Sequence, residues 1–204
     1  MMDGTSEARE RVLDVAERLF TERGYTAVTL RDIAAELGMR QASLYYHVPG
    51  GKEELFVTVT ERGLARHQAG LEAAIAAAPA DLRAQLRAAA RWLLSQPPMD
   101  WGRMMRSDMP AIGEAHGRRL TQAADAAVMQ PIARLFQTAL QASGGPVNTT
   151  YLLAGMFVAS VGAIHDVQPF TQTPHQVLAN KMIDVLLDGV LPPSTPPASG
   201  GMGA

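Results

Sequence analysis

Apolar residues return every third or fourth position along nearly the whole chain, the spacing of helices that bury one face. Between about Glu7 and Arg23 the stripe is Val12, Val15, Ala16, Leu19 and Phe20, with Thr5 or Ser6 to cap it and Gly24 to close it in a left-handed conformation. Thr29 then caps a short helix, and Asp32 stands three residues on, as in a capping box. Val28 and Ile33 fall where a hydrophobic staple packs, Ala34 and Leu37 continue inward, and Gly38 ends the helix. Met39 and Leu44 cover the same small core from a second short helix, about Gln41 to Tyr46. Helix, tight turn at Gly38 to Arg40, and helix again is the order of a helix-turn-helix, whose second helix enters the major groove of DNA.

Proline and glycine divide the rest into longer helices. One runs from Lys52 to about Ala78, and the next from Asp81 to Leu94, with Leu82, Leu86, Ala89 and Leu93 on one face. A third spans Gly113 to Ala142 and is kinked or split by Pro131. A fourth, from Asn148 as cap to Asp166, is apolar almost all round, with Gly155, Ala159 and Gly162 recurring on one side. The last runs from Pro174 to about Val190 with Val177, Leu178, Met182, Val185, Leu186 and Gly189 inward. The fold class is therefore all-α: residues 1–51 form a three-helix domain, residues 52–191 a larger helical domain, and the Pro/Gly/Ser-rich residues 192–204 a disordered tail.

Composition changes this picture in two places. The chain is 47% apolar and has a net charge of −2, so a core is assured but no global basic signal supports nucleic acid; that reading rests on local arrangement. There is no cysteine, which excludes disulfides and thiolate metal sites and fits a reducing, cytoplasmic setting. The N-terminus lacks the basic-then-apolar order of a signal peptide. The longest apolar stretch, Tyr151 to Ile164, is shorter than the roughly 20 residues that span a bilayer, so a buried helix and no membrane partner are expected.

The polar residues on and beside the second short helix suit base and phosphate recognition. Arg40 and Gln41 lie at its N-terminal end, where Arg pairs with guanine and Gln with adenine, and Ser43 is short enough for close approach. Tyr45, Tyr46 and His47 can donate to phosphates, and Lys52 opens the next helix after a glycine turn. Tyr45 fits the core as well as a phosphate, and an arginine placed as Arg31 is more often a solvated helix-face charge than a base contact.

The stretch TLRDIAAELGMRQASLYYHVPGGKEEL resembles the DNA-binding domain of the tetracycline-repressor (TetR) family of bacterial regulators. Thr29, Ile33-Ala34, Gly38, Leu44-Tyr45-Tyr46-His47 and Lys52-Glu53 match the family pattern in order, over about the first 60 residues. Two departures stand out: Arg40 where the family often has a capping Ser, and Pro49-Gly50-Gly51 one residue longer than the usual spacing. The resemblance implies phosphate contacts from Thr29, Tyr45, Tyr46, His47 and Lys52, and base contacts from Arg40, Gln41, Ser43 and Arg31.

Trp92, Trp101, Met104, Met105, Met109 and Phe136 crowd a region broken by prolines, which suits either a deformable apolar pocket or plain core. His116 or Arg103 would give a bound molecule its one polar contact. The small-residue face Gly155, Ala159, Gly162 with Met182, Val185 and Leu186 of the last helix suits a two-fold interface with an identical chain; burial within one subunit is the other reading. No two of the five histidines sit at metal-ligand helical spacing, and no catalytic motif is visible, so neither metal, cofactor nor enzyme activity is expected. Three functions remain: a repressor of a palindromic operator released by a small apolar effector, a DNA-binding regulator answering a protein or no signal, and a helical ligand carrier. DNA binding separates the last from the others.

Overall fold

Helix follows helix, and the described residues contain no strand. The computed structural model describes residues 3–97 and 100–190, apart from the side chains of residues 3–6, 101, 168 and 190. The tail expected to be disordered, 192–204, lies outside the described residues, as do the side chains of Thr5 and Ser6.

Three helices make the first unit: α1 (Asp3–Arg23), α2 (Leu30–Glu36) and α3 (Gln41–His47). The first begins at Asp3, so Thr5 and Ser6 lie inside it instead of capping it. Val12, Ala16, Leu19 and Phe20 meet Val28, Ile33 and Leu44 in a shared core, and the staple pair Val28 and Ile33 is completely enclosed. Leu55 and Phe56 close this core from α4 (Gly51–Ala76), whose ends fall one and two residues before those expected. Phe56 packs edge-on to Phe20 at 5.2 Å and against Tyr25 at 4.9 Å, an aromatic joint between the two units.

The second unit continues with α5 (Leu82–Ser95), capped by Asp81, whose carboxylate accepts the Ala84 N–H at 2.8 Å. Next come α6 (Trp101–Arg103), a π-helical turn Met104–Asp108 and a 3-10 turn Met109–Ala111. The long helix expected from Gly113 is split into α7 (Glu114–Ala124), a π-helical turn Asp125–Met129 and α8 (Gln130–Ser143). Both π turns end two residues before a proline, Pro110 and Pro131. A proline offers no N–H and crowds the carbonyl four residues back, here Arg106 and Ala127, each inside its π turn; widening the turn relieves that crowding.

Asn148 does not cap the next helix. It sits in a 3-10 turn, Val147–Thr149, ahead of α9 (Thr150–Val167). A further 3-10 turn, Gln168–Phe170, leads to α10 (His175–Val190). The helical run Val147–Val167 has the length and composition of a membrane span, more than the shorter stretch read from sequence. Its face Leu153, Ala154, Phe157, Val158, Val161 and Ile164 is buried, while Tyr151, Leu152, Met156 and Ala159 are exposed. The register of α10 also differs from expectation. Ala179, Ile183 and Leu187 face inward, whereas Val177, Val185 and Gly189 face out. Ion pairs hold that register: Arg83 binds Asp184 and, at 3.1 Å, Asp188, while Arg87 meets Asp184 at 2.9 Å. The core beneath is Leu64, Leu71, Leu86, Leu120, Ile132, Phe136, Phe157 and Ile183.

Candidate nucleic-acid interface

The capping box at Thr29 is complete. The Thr29 hydroxyl accepts the Asp32 N–H at 3.2 Å and donates to Asp32 Oδ2 at 2.7 Å, while the Thr29 N–H donates to the same carboxylate at 2.8 Å. These bonds hold the Asp32 carboxyl below the usual range. Gly38 takes φ +65°, a left-handed turn that glycine adopts without strain, and so reverses the chain between α2 and α3.

On α3 only Leu44 is buried. Gln41, Ser43, Tyr45 and Tyr46 are exposed, Tyr46 at 78%, and His47 is half-buried with its ring edge-on to that of Tyr46. Arg40 caps the helix by backbone geometry alone, without a side-chain bond, which leaves its guanidinium at the surface. Tyr45, placed by sequence between core and surface, is exposed. Arg31 is exposed on α2. Lys52 lies with Nζ 4.2 Å from the centre of the Tyr25 ring. Burial draws the Lys52 ammonium down from its usual range, and the carboxylates of Asp108 and Asp32 oppose that.

Residues 1–51 hold eight Asp and Glu against six Arg and no Lys, an unpromising balance for a polyanion. Pairing offsets part of it. Arg62 of α4 meets Glu10 at 3.1 Å and Asp14 at 2.6 Å, Arg66 binds Glu17, and Arg18 bridges Glu22 at 3.5 Å and Glu36 at 2.6 Å. Asp32 is used in the cap. Among the described residues Arg23, Arg31 and Arg40 make no salt bridge, although the charges of Arg23 and Arg31 help to hold the Asp32 carboxyl down. Arg23 carried no motif signal; its place near the Asp32 carboxylate emerges only from the structure.

The residues read as an apolar pocket are dispersed. Trp92 lies against Gly70 of α4 and walls an alanine-rich cleft of about 640 Å³ between α4 and α5. Met104 lines a small cleft of about 60 Å³ beside Phe20 and Phe56, and Met109 a third, of about 560 Å³, beside Ile112 and Gly117. Met105 is exposed and Phe136 is fixed in the core. The Trp101 side chain lies outside the described residues. His116 and Arg103, expected to orient a ligand, are engaged elsewhere: His116 Nδ1 is 2.7 Å from Glu53 Oε1, and Arg103 donates to backbone carbonyls of α1. The face read as an interface is open in part. Val185 is 76% exposed, Ala159 is exposed, Met182 and Leu186 are half-buried, Gly155 approaches Met129, and Gly162 has open space where a Cβ would stand.

Comparison with known proteins gives one family and one fold. Residues 12–59 match the family model described as bacterial regulatory proteins, tetR family. The chain is 47% identical over 51 residues to the HTH-type transcriptional regulator LmrA of Bacillus subtilis, covering 25% of this chain and 27% of that protein. It is 40% identical over 85 residues to the HTH-type transcriptional repressor KstR2 of Rhodococcus jostii, covering 42% and 41%. The matched part thus spans less than half the length of these relatives. Over the whole fold, the crystal structure of AibR in complex with isovaleryl coenzyme A and operator DNA superposes with a TM-score of 0.70 at 21% identity, covering 87% of this chain and 96% of that one. A tetR-family regulatory protein from Rhodococcus RHA1 gives 0.68 at 18% identity, covering 90% and 97%.

Proposed function

We propose that this chain, which belongs to the tetR family of bacterial regulatory proteins through its first domain, is a sequence-specific transcriptional repressor. It binds a palindromic operator as a homodimer and is released by a small, mostly apolar effector. The observation that carries the DNA-binding step is α3: one buried leucine anchors it, its polar residues project outward, and Arg62 and Arg66 of α4 pair with Glu10, Asp14 and Glu17 of α1. On this reading Arg40, Gln41 and Ser43 read base edges, with Arg31 beside them, and Thr29, Tyr45, Tyr46, His47 and Lys52 hold phosphates. Residues 1–51 act as the reader and the helices after them as sensor and dimeriser. Such a protein works where the DNA is, in the cytoplasm.

Dimerisation is supported by the open apolar face of α9 and α10, with Leu152, Met156, Val177 and Val185 exposed. A second copy covers such a face by two-fold symmetry and presents two reading helices to an inverted repeat. An effector is supported by the structural neighbour that holds both isovaleryl coenzyme A and operator DNA. In this chain the cleft beside Trp92 has the volume of a ligand site. Release requires the effector to bind more tightly to a conformation that fits DNA poorly, since equal affinity for both states shifts nothing.

Selection of bound duplexes from a random pool, at moderate salt, tests the reading. An inverted repeat is the expected product, and recovery of none overturns it. Operator affinity is then compared with and without compounds that quench Trp92 or Trp101. Compounds that bind while operator affinity stays constant would leave a regulator without an effector.

A further inference from the structure

We propose that Arg103 and Asp108 are positioning residues that fix the pose of the reading domain on the helical domain. This rests on the DNA-binding reading above, because the pose matters only if two readers must match one duplex. The two side chains flank one π-helical turn, Arg103 just before it and Asp108 at its end, and both reach back more than 80 residues to the end of α1. Arg103 donates from Nη2 to the carbonyls of Thr21 at 2.6 Å and Phe20 at 3.3 Å, and from Nη1 to that of Glu22 at 3.4 Å. These belong to the last turn of α1, whose carbonyl end attracts a cation; that of Phe20 also accepts the Gly24 N–H at 2.9 Å. Asp108 is 3% exposed, and its Oδ1 accepts the Tyr25 N–H at 2.9 Å. Its other oxygen lies 3.5 Å from Arg103 Nε. A carboxylate so enclosed is costly to bury unless bonded and charge-compensated, and both conditions are met by this pair of contacts.

The grip is tailored to the chain it holds. Gly24 sits between the clamped carbonyls and Tyr25 at φ +83°, and a Cβ there would stand 3.0 Å from both Arg103 Nε and Asp108 Oδ1. Tyr25, held through its backbone by Asp108, carries Lys52 on its ring. The segment that fixes the end of α1 thereby also fixes the platform under a phosphate-binding lysine. The chain passes from reader to sensor only through α4, against which α1 is also packed and ion-paired, whereas the clamp comes from elsewhere in the helical domain and adds a second, independent hold on the end of α1. The small cleft beside Met104, bordered by Phe20, Phe56, Arg103 and Asp108, gives this joint room to shift.

In a dimer the pose sets the separation of the two reading helices, so the diagnostic is half-site spacing. The full chain, Arg103→Met and Arg103→Lys are compared on the selected operator and on duplexes with spacing altered by one or two base pairs. Arg103→Met is expected to lose about tenfold affinity at the best spacing and to change less than about twofold at the others, flattening the preference. Base preference within each half-site stays unchanged, and Arg103→Lys restores part of the effect. Equal weakening at every spacing, or no change at any, overturns the proposal. A DNA-free measurement keeps the two readings apart. The chain has no cysteine, so Ala35→Cys with Gln137→Cys admits a single pair of spin labels, diluted into unlabelled protein. Arg103→Met, or Asp108→Asn if that variant does not fold, should broaden the distance between them. An unchanged width overturns the positioning role, whereas wild type that binds no duplex overturns only the DNA-binding reading.

Discussion

His116 Nδ1 lies 2.7 Å from Oε1 of Glu53, joining the first turn of α7 to the first turn of α4 next to Lys52. The Gly113 N–H donates to the same oxygen at 2.9 Å. These bonds hold the Glu53 carboxyl below its usual range, His116 contributing most. A lowered carboxyl gives stability that is complete above the unfolded value, roughly pH 4.3, and is lost as pH falls through the folded one. Glu53→Gln should therefore melt below wild type at neutral pH, and the difference should shrink as the solution is acidified below about pH 4. Melting temperatures of both proteins from pH 3 to 7 check this. A difference that stays constant throughout would mean that the carboxylate charge adds nothing to the contact.

On the proposed reading, the residues of α3 and its flanks divide into base readers and phosphate holders. Replacing Lys52 or Tyr46 by Ala should weaken binding to all duplexes alike, and loss of Lys52 should also reduce the salt dependence. Replacing Arg40 or Gln41 should relax preference at particular base pairs, by about 1–3 kcal/mol where the lost contact is bidentate. Binding to a panel of single-base operator variants separates the two classes. If Gln41→Ala left preference unchanged at every position, Gln41 would not be a base-reading residue.

Features set by neighbours in sequence were legible beforehand. The capping box needs only Thr29 and Asp32, three residues apart, and the Gly38 turn needs only a residue that tolerates positive φ. Pro131 announced a break, although the π turn before it is the geometric answer to that proline and not a simple kink. Phase was not legible where apolar residues circle a helix. In α10 the buried line Ala179, Ile183, Leu187 and the outward Val177 and Val185 are all apolar, so periodicity alone could not say which faced the core. The dispersed Trp and Met residues show a second limit, since a cluster in sequence need not be a cluster in space. Arg103 shows a third: its partners are carbonyls more than 80 residues away, and a carbonyl leaves no mark in a sequence.

The outward face of α9 and α10 permits a clean test of assembly. Val185 is 76% exposed in the isolated chain, so Val185→Arg should cost the monomer fold little. In a dimer closed through this face the same change would bury a charge on each side of the two-fold, and truncated or unpaired buried charges cost about 2–5 kcal/mol. Light scattering at micromolar concentration should give a dimer for wild type and a monomer for Val185→Arg. Ala159→Trp should act in the same direction by blocking close approach. A wild-type monomer at that concentration would refute the interface.

Gly70 and Trp92 provide a test in which two effects of opposite sign compete. Glycine inside a helix is worth about 1 kcal/mol less than alanine, so Gly70→Ala would by itself strengthen α4. The Trp92 indole, however, occupies the space where the Cβ would go, and overpacking costs typically about 1–3 kcal/mol. The steric effect should win, leaving the variant less stable by about 1 kcal/mol. It should win by moving the ring, because Trp92 is only half-buried and the cleft of about 640 Å³ lies beside it. The indole N–H is enclosed without a hydrogen-bond partner, so a ring that swings into the cleft gains water on that atom. In a Trp101→Phe background, where Trp92 is the remaining tryptophan, emission should shift to the red and become more accessible to iodide. Denaturant midpoint and quenching are read on the same samples. If Gly70→Ala raised stability by about 1 kcal/mol with emission unchanged, the helix-propensity gain would be unopposed and the indole would not rest on Gly70.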